Sequence, residues 1–140
     1  MDGRVLTWEL RSVAEVTACR GRLRALAGAG GAADDDAVER LLLTVEELAS
    51  NGVRHGGAPV TITVTVTGAD WLVDVADSAQ DVPPTPAVGR DAALGGLGLY
   101  LVAHLSSAHG WTVRDGRKHV WARIERRAGV PPQRGCDDRA

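Results

Sequence analysis

One stretch constrains the fold more than any other, because residues 59–77 have the pattern of two strands joined by a tight turn. From Val60 to Thr67, valine or isoleucine alternates with threonine at every position, so one strand face is apolar and the other polar. Gly68-Ala69-Asp70 supplies a turn, and Trp71 to Asp77 completes a hairpin. Antiparallel sheets often have one face packed on the core and one exposed to solvent. The pattern therefore predicts an antiparallel sheet that is covered on one side.

The remaining elements supply the cover and the other strands. Alternation predicts strands over 5–10, 111–114 and 119–125, and helical spacing predicts helices over 12–26, 34–56 and from Gly98 to about His109. We expect Gly110 to end the third helix and Asp115-Gly116 to form the last turn. The first helix is expected to bury Val13, Val16, Leu23 and Leu26. This order predicts a two-layer α/β (α+β) sandwich, a mostly antiparallel sheet with helices on one face.

Length and composition limit the class of protein. The 140 residues suit one domain over 1–126, followed by a polar, disordered tail over 127–140. The net charge of −2 comes from mixed acids and bases, which argues against a nucleic-acid-binding face. Cys19 and Cys136 have neither disulfide nor zinc spacing and are expected to be reduced thiols. With no signal region and no membrane-length apolar run, we expect a cytoplasmic protein.

The second helix has two chemically different faces. Glu47 and Asn51 lie one turn apart on its polar face, and Arg54 and His55 continue that face by another turn. Together they could hold an anion, a metal ion and a proton acceptor, although a solvated polar face is the simpler interpretation of this helix alone. The opposite stripe is apolar and consists of Val38, Leu41, Leu42, Val45, Leu48 and Ala49.

Two further motifs lie at the ends of predicted elements. Asp77 ends a strand just before the proline-rich segment 78–94. It is either a turn former or an acceptor for an exocyclic amine of a purine. Gly96 and Gly98 precede a helix, where they either cap it or let backbone N–H groups approach a phosphate.

The order and spacing of the three motifs resemble the GHKL-type ATP-binding domain, the Bergerat fold, which gyrase, histidine kinases and MutL share. Most similar are the small stand-alone anti-sigma-factor serine kinases common in actinobacteria. The resemblance covers roughly Trp8 to Ile124. The matching motifs are segments 46–56, 75–78, 95–102 and 118–122.

The resemblance implies a role for each matched position. Asn51 would bind Mg²⁺ through its side-chain oxygen, and Glu47 would be the general base for the attacking hydroxyl. Asp77 would accept the adenine amino group, and residues 78–95 would form the ATP lid. The other nucleotide-binding positions would be Arg54, His55, Ala79, Gly96, Leu97, Gly98, Leu99 and His119.

The implied function is an ATP- and Mg²⁺-dependent serine/threonine protein kinase that binds a sigma factor in one state and phosphorylates an antagonist protein in another. Ala79 stands where relatives have glycine, His119 where they have threonine, and Gly52 where they have a small apolar residue. The alternative is therefore a nucleotide-dependent binding module without significant kinase activity. We favour a histidine kinase fragment less, because no helix pair with a phosphoacceptor histidine precedes the motifs. Relatives often pair as homodimers through the face with the first strand and helix.

Overall fold

The computed structural model describes residues 4–29, 35–57, 59–78 and 97–126. Within these ranges the chain forms five strands, three α-helices and one π-helical turn. In chain order they are β1 Arg4–Leu10, α1 Val13–Ala29, α2 Asp35–Asn51, the π-helical turn Gly52–Gly56, β2 Val60–Val66, β3 Asp70–Asp77, α3 Leu97–Leu105, β4 Ala108–Arg114 and β5 Arg117–Glu125.

The five strands form one antiparallel sheet in the order β1-β2-β3-β5-β4. Helix α2 packs against β2, β3 and β5, while α1 and α3 each pack against α2. The predicted two-layer fold is confirmed. Strand β3 is central, and its neighbour β5 joins the sheet only after the chain has passed through α3 and β4.

Alternation along the strands places the core between the sheet and α2. In β2 the four apolar residues are buried and the threonines between them are half-buried, as the sequence predicts. Helix α2 buries the predicted apolar stripe. The largest fully buried side chains are Leu23, Leu41, Leu42, Ile62, Ile124, Val16, Val45, Val60, Val64, Val73, Val75 and Thr44.

The boundary between α3 and β4 differs from the prediction. Helix α3 ends at Leu105 instead of near His109, and β4 already begins at Ala108. At the end of the helix the backbone N–H and the hydroxyl of Ser106 both donate to the carbonyl of Val102. The predicted turn at Asp115-Gly116 is confirmed, and both residues have positive φ, 54° and 75°.

Helix α1 buries a different set of side chains from the one predicted. Val16 and Leu23 are buried as expected, but Val13 and Leu26 are both 39% exposed. Cys19 is buried in the core instead. Burial raises the pKa of its thiol to about 11, so the thiol is protonated at neutral pH.

In the part of the chain that the structure describes, no helix is both long and apolar enough to cross a membrane.

Candidate functional site

The site begins where α2 passes into the π-helical turn. Gly52 is buried there, and a Cβ atom at this position would lie 3.3 Å from both γ-methyl groups of Val60. It would also lie 3.4 Å from Val75 Cγ1. Glycine lowers helix propensity by about 1 kcal/mol, but here it lets the helix end approach two strands closely. The close approach therefore gives a packing explanation for glycine at position 52.

The other end of the π-helical turn contacts the end of β3. A Cβ atom on Gly56 would lie 2.7 Å from Asp77 Oδ1, and closer still to Asp77 Cγ and Oδ2. The Ser78 N–H donates to the Gly56 carbonyl at 3.1 Å. The carboxylate of Asp77 is thus held directly against the backbone at the end of the helix.

A buried ion pair forms beside this contact. Asp77 in β3 and Lys118 in β5 are register partners on the face that packs against α2. Their side chains are only 2% and 3% exposed, and Lys118 Nζ lies 3.7 Å from Asp77 Oδ2. The site therefore places a cation next to the carboxylate that the sequence assigned to adenine binding.

Glu47 on α2 has an altered acidity. Its pKa lies above the ordinary value of 4.5, chiefly because the carboxyl is partly buried and also because Glu46 is close. The guanidinium of Arg54 acts in the opposite direction. Glu46 itself pairs with Arg20 of α1, with Arg20 Nη1 2.8 Å from Glu46 Oε1. The raised pKa brings the Glu47 carboxyl nearer to the range in which a general base is effective.

His119 does not share the face with Asp77, although the sequence placed it among the nucleotide contacts. Successive residues of a strand point to opposite faces, so His119 lies on the side of the sheet away from α2. There His119 Nδ1 lies 2.9 Å from Asp74 Oδ1 and 3.1 Å from Arg114 Nη2. Lys118, one residue earlier, is the residue of β5 that lies beside Asp77.

The remaining predicted site residues lie at different places. Asn51 is half-buried in the last turn of α2, while Arg54 and His55 are exposed in the π-helical turn. Leu97, Gly98 and Leu99 begin α3, which packs against α2, and only their helical backbone is described. Ala79, Gly96, most of the predicted lid over 78–95, Cys136 and the predicted tail over 127–140 lie outside the described residues.

The described ranges contain no group of three or more His, Cys, Asp or Glu side chains that could hold a metal ion. A protein cage of such ligands is thus not formed by these residues. One amide oxygen, from Asn51, is available on the polar face of α2 near Glu47.

The sequence of residues 11–124 matches the family described as the histidine kinase-like ATPase domain, HATPase_c_2. This segment includes every described element except β1 and the last residue of β5. The chain belongs to this family. Membership in an ATPase family implies an ATP-binding domain, in accord with the three motifs.

The fold of this histidine kinase-like ATPase domain is similar to a solved structure, "The crystal structure of the RsbU and RsbW domains of Rv1364c from Mycobacterium tuberculosis". The TM-score is 0.64 at 18% sequence identity, over 86% of this chain. The match covers 32% of the other chain, so the present chain spans about a third of its length. At this identity the likeness shows the fold. No curated protein matches the chain.

Sequence reasoning missed Lys118 as a site residue of this ATPase domain. The signal was present, because Val120, Ala122 and Ile124 mark the apolar face of β5 and Lys118 continues the same alternation. Lysine is seldom fully buried, so the residue type by itself does not predict a buried position.

Proposed function

We propose that this chain is an ATP- and Mg²⁺-dependent serine/threonine protein kinase of the anti-sigma type. It would bind a sigma factor in one state and phosphorylate a serine of an antagonist protein in another. The observation that carries the proposal is the partly buried Glu47, whose pKa is raised, one turn before Asn51 on the helix that ends against Asp77. The family assignment supports the nucleotide, and the resemblance of segment 46–56 to anti-sigma kinases supports the class of partner.

The Asp77 carboxylate suits the amino group of adenine. A carboxylate accepts hydrogen bonds only, so it matches an exocyclic amine and disfavours a carbonyl oxygen. Its contact with Gly56 and the Ser78–Gly56 hydrogen bond fix it in place before any ligand arrives. A preorganised acceptor loses little freedom on binding, which favours affinity.

The residues present also suit Mg²⁺. This ion is usually held by one or two protein oxygens together with substrate phosphates and water. Asn51, half-buried in the last turn of α2, would supply the protein oxygen. When bound, Mg²⁺ neutralises charge on the phosphates during transfer.

Glu47 would accept the proton from the attacking serine hydroxyl as the oxygen of that serine bonds to the γ-phosphorus and ADP leaves. Burial raises the proton affinity of the carboxyl, and the Arg54 guanidinium limits the rise. The carboxylate must be ionised to act, so the rate of transfer should increase as the pH rises through the pKa of Glu47.

Calorimetric titration with ATP, with and without Mg²⁺, tests the nucleotide site. We expect Mg²⁺-dependent binding to the wild type, and loss of the Mg²⁺ dependence in Asn51→Ala. Thr17→Ala, an exposed change on α1, is the matched control and should bind as the wild type does. Failure of the wild type to bind ATP would contradict the proposal.

Transfer is tested separately, with γ-labelled ATP, Mg²⁺ and the cognate antagonist protein. We expect a phosphoserine product with the wild type, and none with Glu47→Gln, although that variant still binds ATP. Tight ATP binding with no transfer, unchanged by Glu47→Gln, would instead establish the alternative of a nucleotide-dependent binding switch.

A further inference from the structure

Arg117 is a charged residue beside the candidate site that the proposed function leaves without a role. It begins β5 and lies half-buried on the face of the sheet away from α2. Its guanidinium donates from Nη2 to the carbonyls of Pro59 and Ala76, at 2.8 and 2.9 Å. A third bond runs from Nη1 to Thr61 Oγ1 at 3.3 Å. All three of these acceptors are neutral, so the purpose of a charged group at this place calls for an explanation.

The two carbonyls that Arg117 binds belong to the ends of neighbouring strands. The carbonyl of Pro59 is part of the peptide group that leads into Val60, the first residue of β2. The carbonyl of Ala76 is part of the peptide group that leads into Asp77, the last residue of β3. A guanidinium has a planar fork of donors, so it holds both peptide groups in one defined geometry.

The same two strand ends contact the π-helical turn on the other face of the sheet. Val60 lies against Gly52, where a Cβ atom would be 3.3 Å from both of its γ-methyl groups. Asp77 lies against Gly56, where a Cβ atom would be 2.7 Å from Oδ1. Arg117 therefore fixes, from the outer face, the two strand ends against which the turn packs on the inner face.

We propose that Arg117 is a positioning residue for the adenine end of the nucleotide site. By holding the ends of β2 and β3 together, it sets the position of the Asp77 carboxylate relative to the π-helical turn, and thereby the preference for adenine. This inference rests on the proposed function, because that function assigns recognition of the base to this end of the site. Arg117 lies just before the matched segment 118–122, so the motif pattern gives it no role.

Two ratios of dissociation constants separate positioning from a general loss of stability. The preference for ATP over GTP reports on the base end of the site, and the ratio for ATP without and with Mg²⁺ reports on the Asn51 end. A partly unfolded variant binds every ligand more weakly by the same factor, which cancels in both ratios. Arg117→Gln should lower the preference for ATP at least about tenfold, the contribution typical of one hydrogen bond to a charged group. Its Mg²⁺ ratio should equal that of the wild type.

The matched control is Arg126→Gln, because Arg126 binds the same hairpin at its opposite end. Arg126 is also half-buried, and its Nη1 donates to the carbonyls of Thr67 and Gly68 in the turn between β2 and β3. This variant loses main-chain contacts as Arg117→Gln does, yet both of its ratios should equal those of the wild type. A control that lost the adenine preference to the same extent would overturn the positioning role, because any weakening of the hairpin would then suffice.

The outcomes distinguish this inference from the proposed function. Equal dissociation constants of ATP and GTP for the wild type would overturn the role of Arg117 and leave ATP binding intact. An unchanged preference in Arg117→Gln would overturn it as well. If that variant does not fold, Arg117→Lys decides the question, because it retains the charge without the planar fork and its preference should also fall below that of the wild type. A wild-type preference in Arg117→Lys would then overturn the inference. No binding of ATP to the wild type would overturn the proposed function and the inference with it.

Discussion

The backbone of Gly56 lies so close to the Asp77 carboxylate that no other residue type fits between them. A Cβ atom at Gly56 would lie within 2.7 Å of Asp77 Oδ1 and nearer to two other atoms of the carboxyl group. Since the φ angle of Gly56 is not in the left-handed region, this requirement comes from space and not from backbone strain. The site thus depends on a residue with no functional group.

Replacing three glycines by alanine should therefore give three different results. Gly21→Ala in α1, where a Cβ meets nothing within 4 Å, should raise the free energy of unfolding by about 0.5–1 kcal/mol through helix propensity. Gly56→Ala should lower it by about 1–3 kcal/mol, because the carboxyl of Asp77 must move. The change in unfolding free energy for Gly52→Ala should lie between these two values, because its Cβ would be 3.3 Å from the γ-methyl groups of Val60. Urea unfolding of the three variants measures the order of their stabilities.

Gly56→Ala should also weaken ATP binding, because it displaces the acceptor proposed for the adenine amine. Gly21→Ala is the control and should bind ATP as the wild type does. A Gly56→Ala variant as stable as Gly21→Ala would show that the carboxylate moves without cost, contrary to the close contact described here.

The ionisation of Glu47 should lower the stability of the fold as the pH rises. Its folded-state pKa lies above 4.5, so over the interval above pH 4.5 the folded protein retains a proton that the unfolded chain has released. This contribution to stability is complete below pH 4.5 and is lost as the pH rises through the folded pKa. Glu47→Gln should therefore be more stable than the wild type at neutral pH.

Urea unfolding from pH 4 to pH 7.5 tests this expectation. The advantage of Glu47→Gln should be small at the acidic end and should grow as the pH rises. An advantage that is largest at low pH would mean that the carboxylate, and not the carboxylic acid, is the form that the fold stabilises.

Two neighbours of Glu47 should shift its pKa in opposite directions. Glu46→Gln removes a negative charge and should lower the pKa of Glu47, whereas Arg54→Gln removes a positive charge and should raise it. Burial is the largest cause and remains in both variants, so neither should restore the ordinary value. Carboxyl ¹³C NMR titration follows the group directly.

Glu39→Gln provides the control for this pair of changes. Glu39 is exposed on α2 and pairs with Arg24, and it does not contribute to the shift at Glu47. Its removal should leave the Glu47 titration unchanged. Shifts of the same sign in Glu46→Gln and Arg54→Gln would contradict the charge explanation.

The Asp77–Lys118 pair should show strong coupling in a double-mutant cycle. Lys118→Met leaves the Asp77 carboxylate buried without this cation and should cost about 3–5 kcal/mol of stability. Asp77→Asn in the same chain should recover part of the loss, because the remaining polar group is neutral. Guanidinium chloride unfolding of the two single variants and the double variant gives the coupling energy.

The exposed Arg24–Glu39 pair serves as the comparison, and its cycle should show far weaker coupling. Additive effects at Asp77 and Lys118 would argue that the two charges do not interact despite their burial.

Much of the fold follows from periodicity, but the α3–β4 boundary shows where local signals fail. Gly110 had the appearance of a helix stop, yet it lies within β4, and a Cβ there would be 2.9 Å from Trp121 Cζ2. This glycine therefore makes room for an aromatic ring of the neighbouring strand. The strand itself is held by pairing with β5, including the hydrogen bond from Ser107 N–H to the Arg123 carbonyl. Such long-range pairing is not encoded in the local pattern.

The relative placement of the candidate residues was predictable where they share one element, as Glu47 and Asn51 do on α2. Contacts between elements were harder. The alternation of β5 indicates the face on which Lys118 lies, but its pairing with Asp77 depends on the register between β3 and β5. The approach of Gly56 to Asp77 likewise requires the π-helical turn, which the sequence pattern does not predict.

The pairing of β3 directly with β5 has an evolutionary consequence. The chain between Asp77 and Arg117 leaves two adjacent strands and returns to them. Its described residues are held by the Ser78–Gly56 hydrogen bond, the packing of α3 on α2 and the pairing of β4 with β5. In general, doubling the length of a connection between two elements costs only about 0.6 kcal/mol in closure entropy. Insertions and deletions within 79–96 can therefore accumulate in descendants of this chain while Asp77 and its register partner keep their positions.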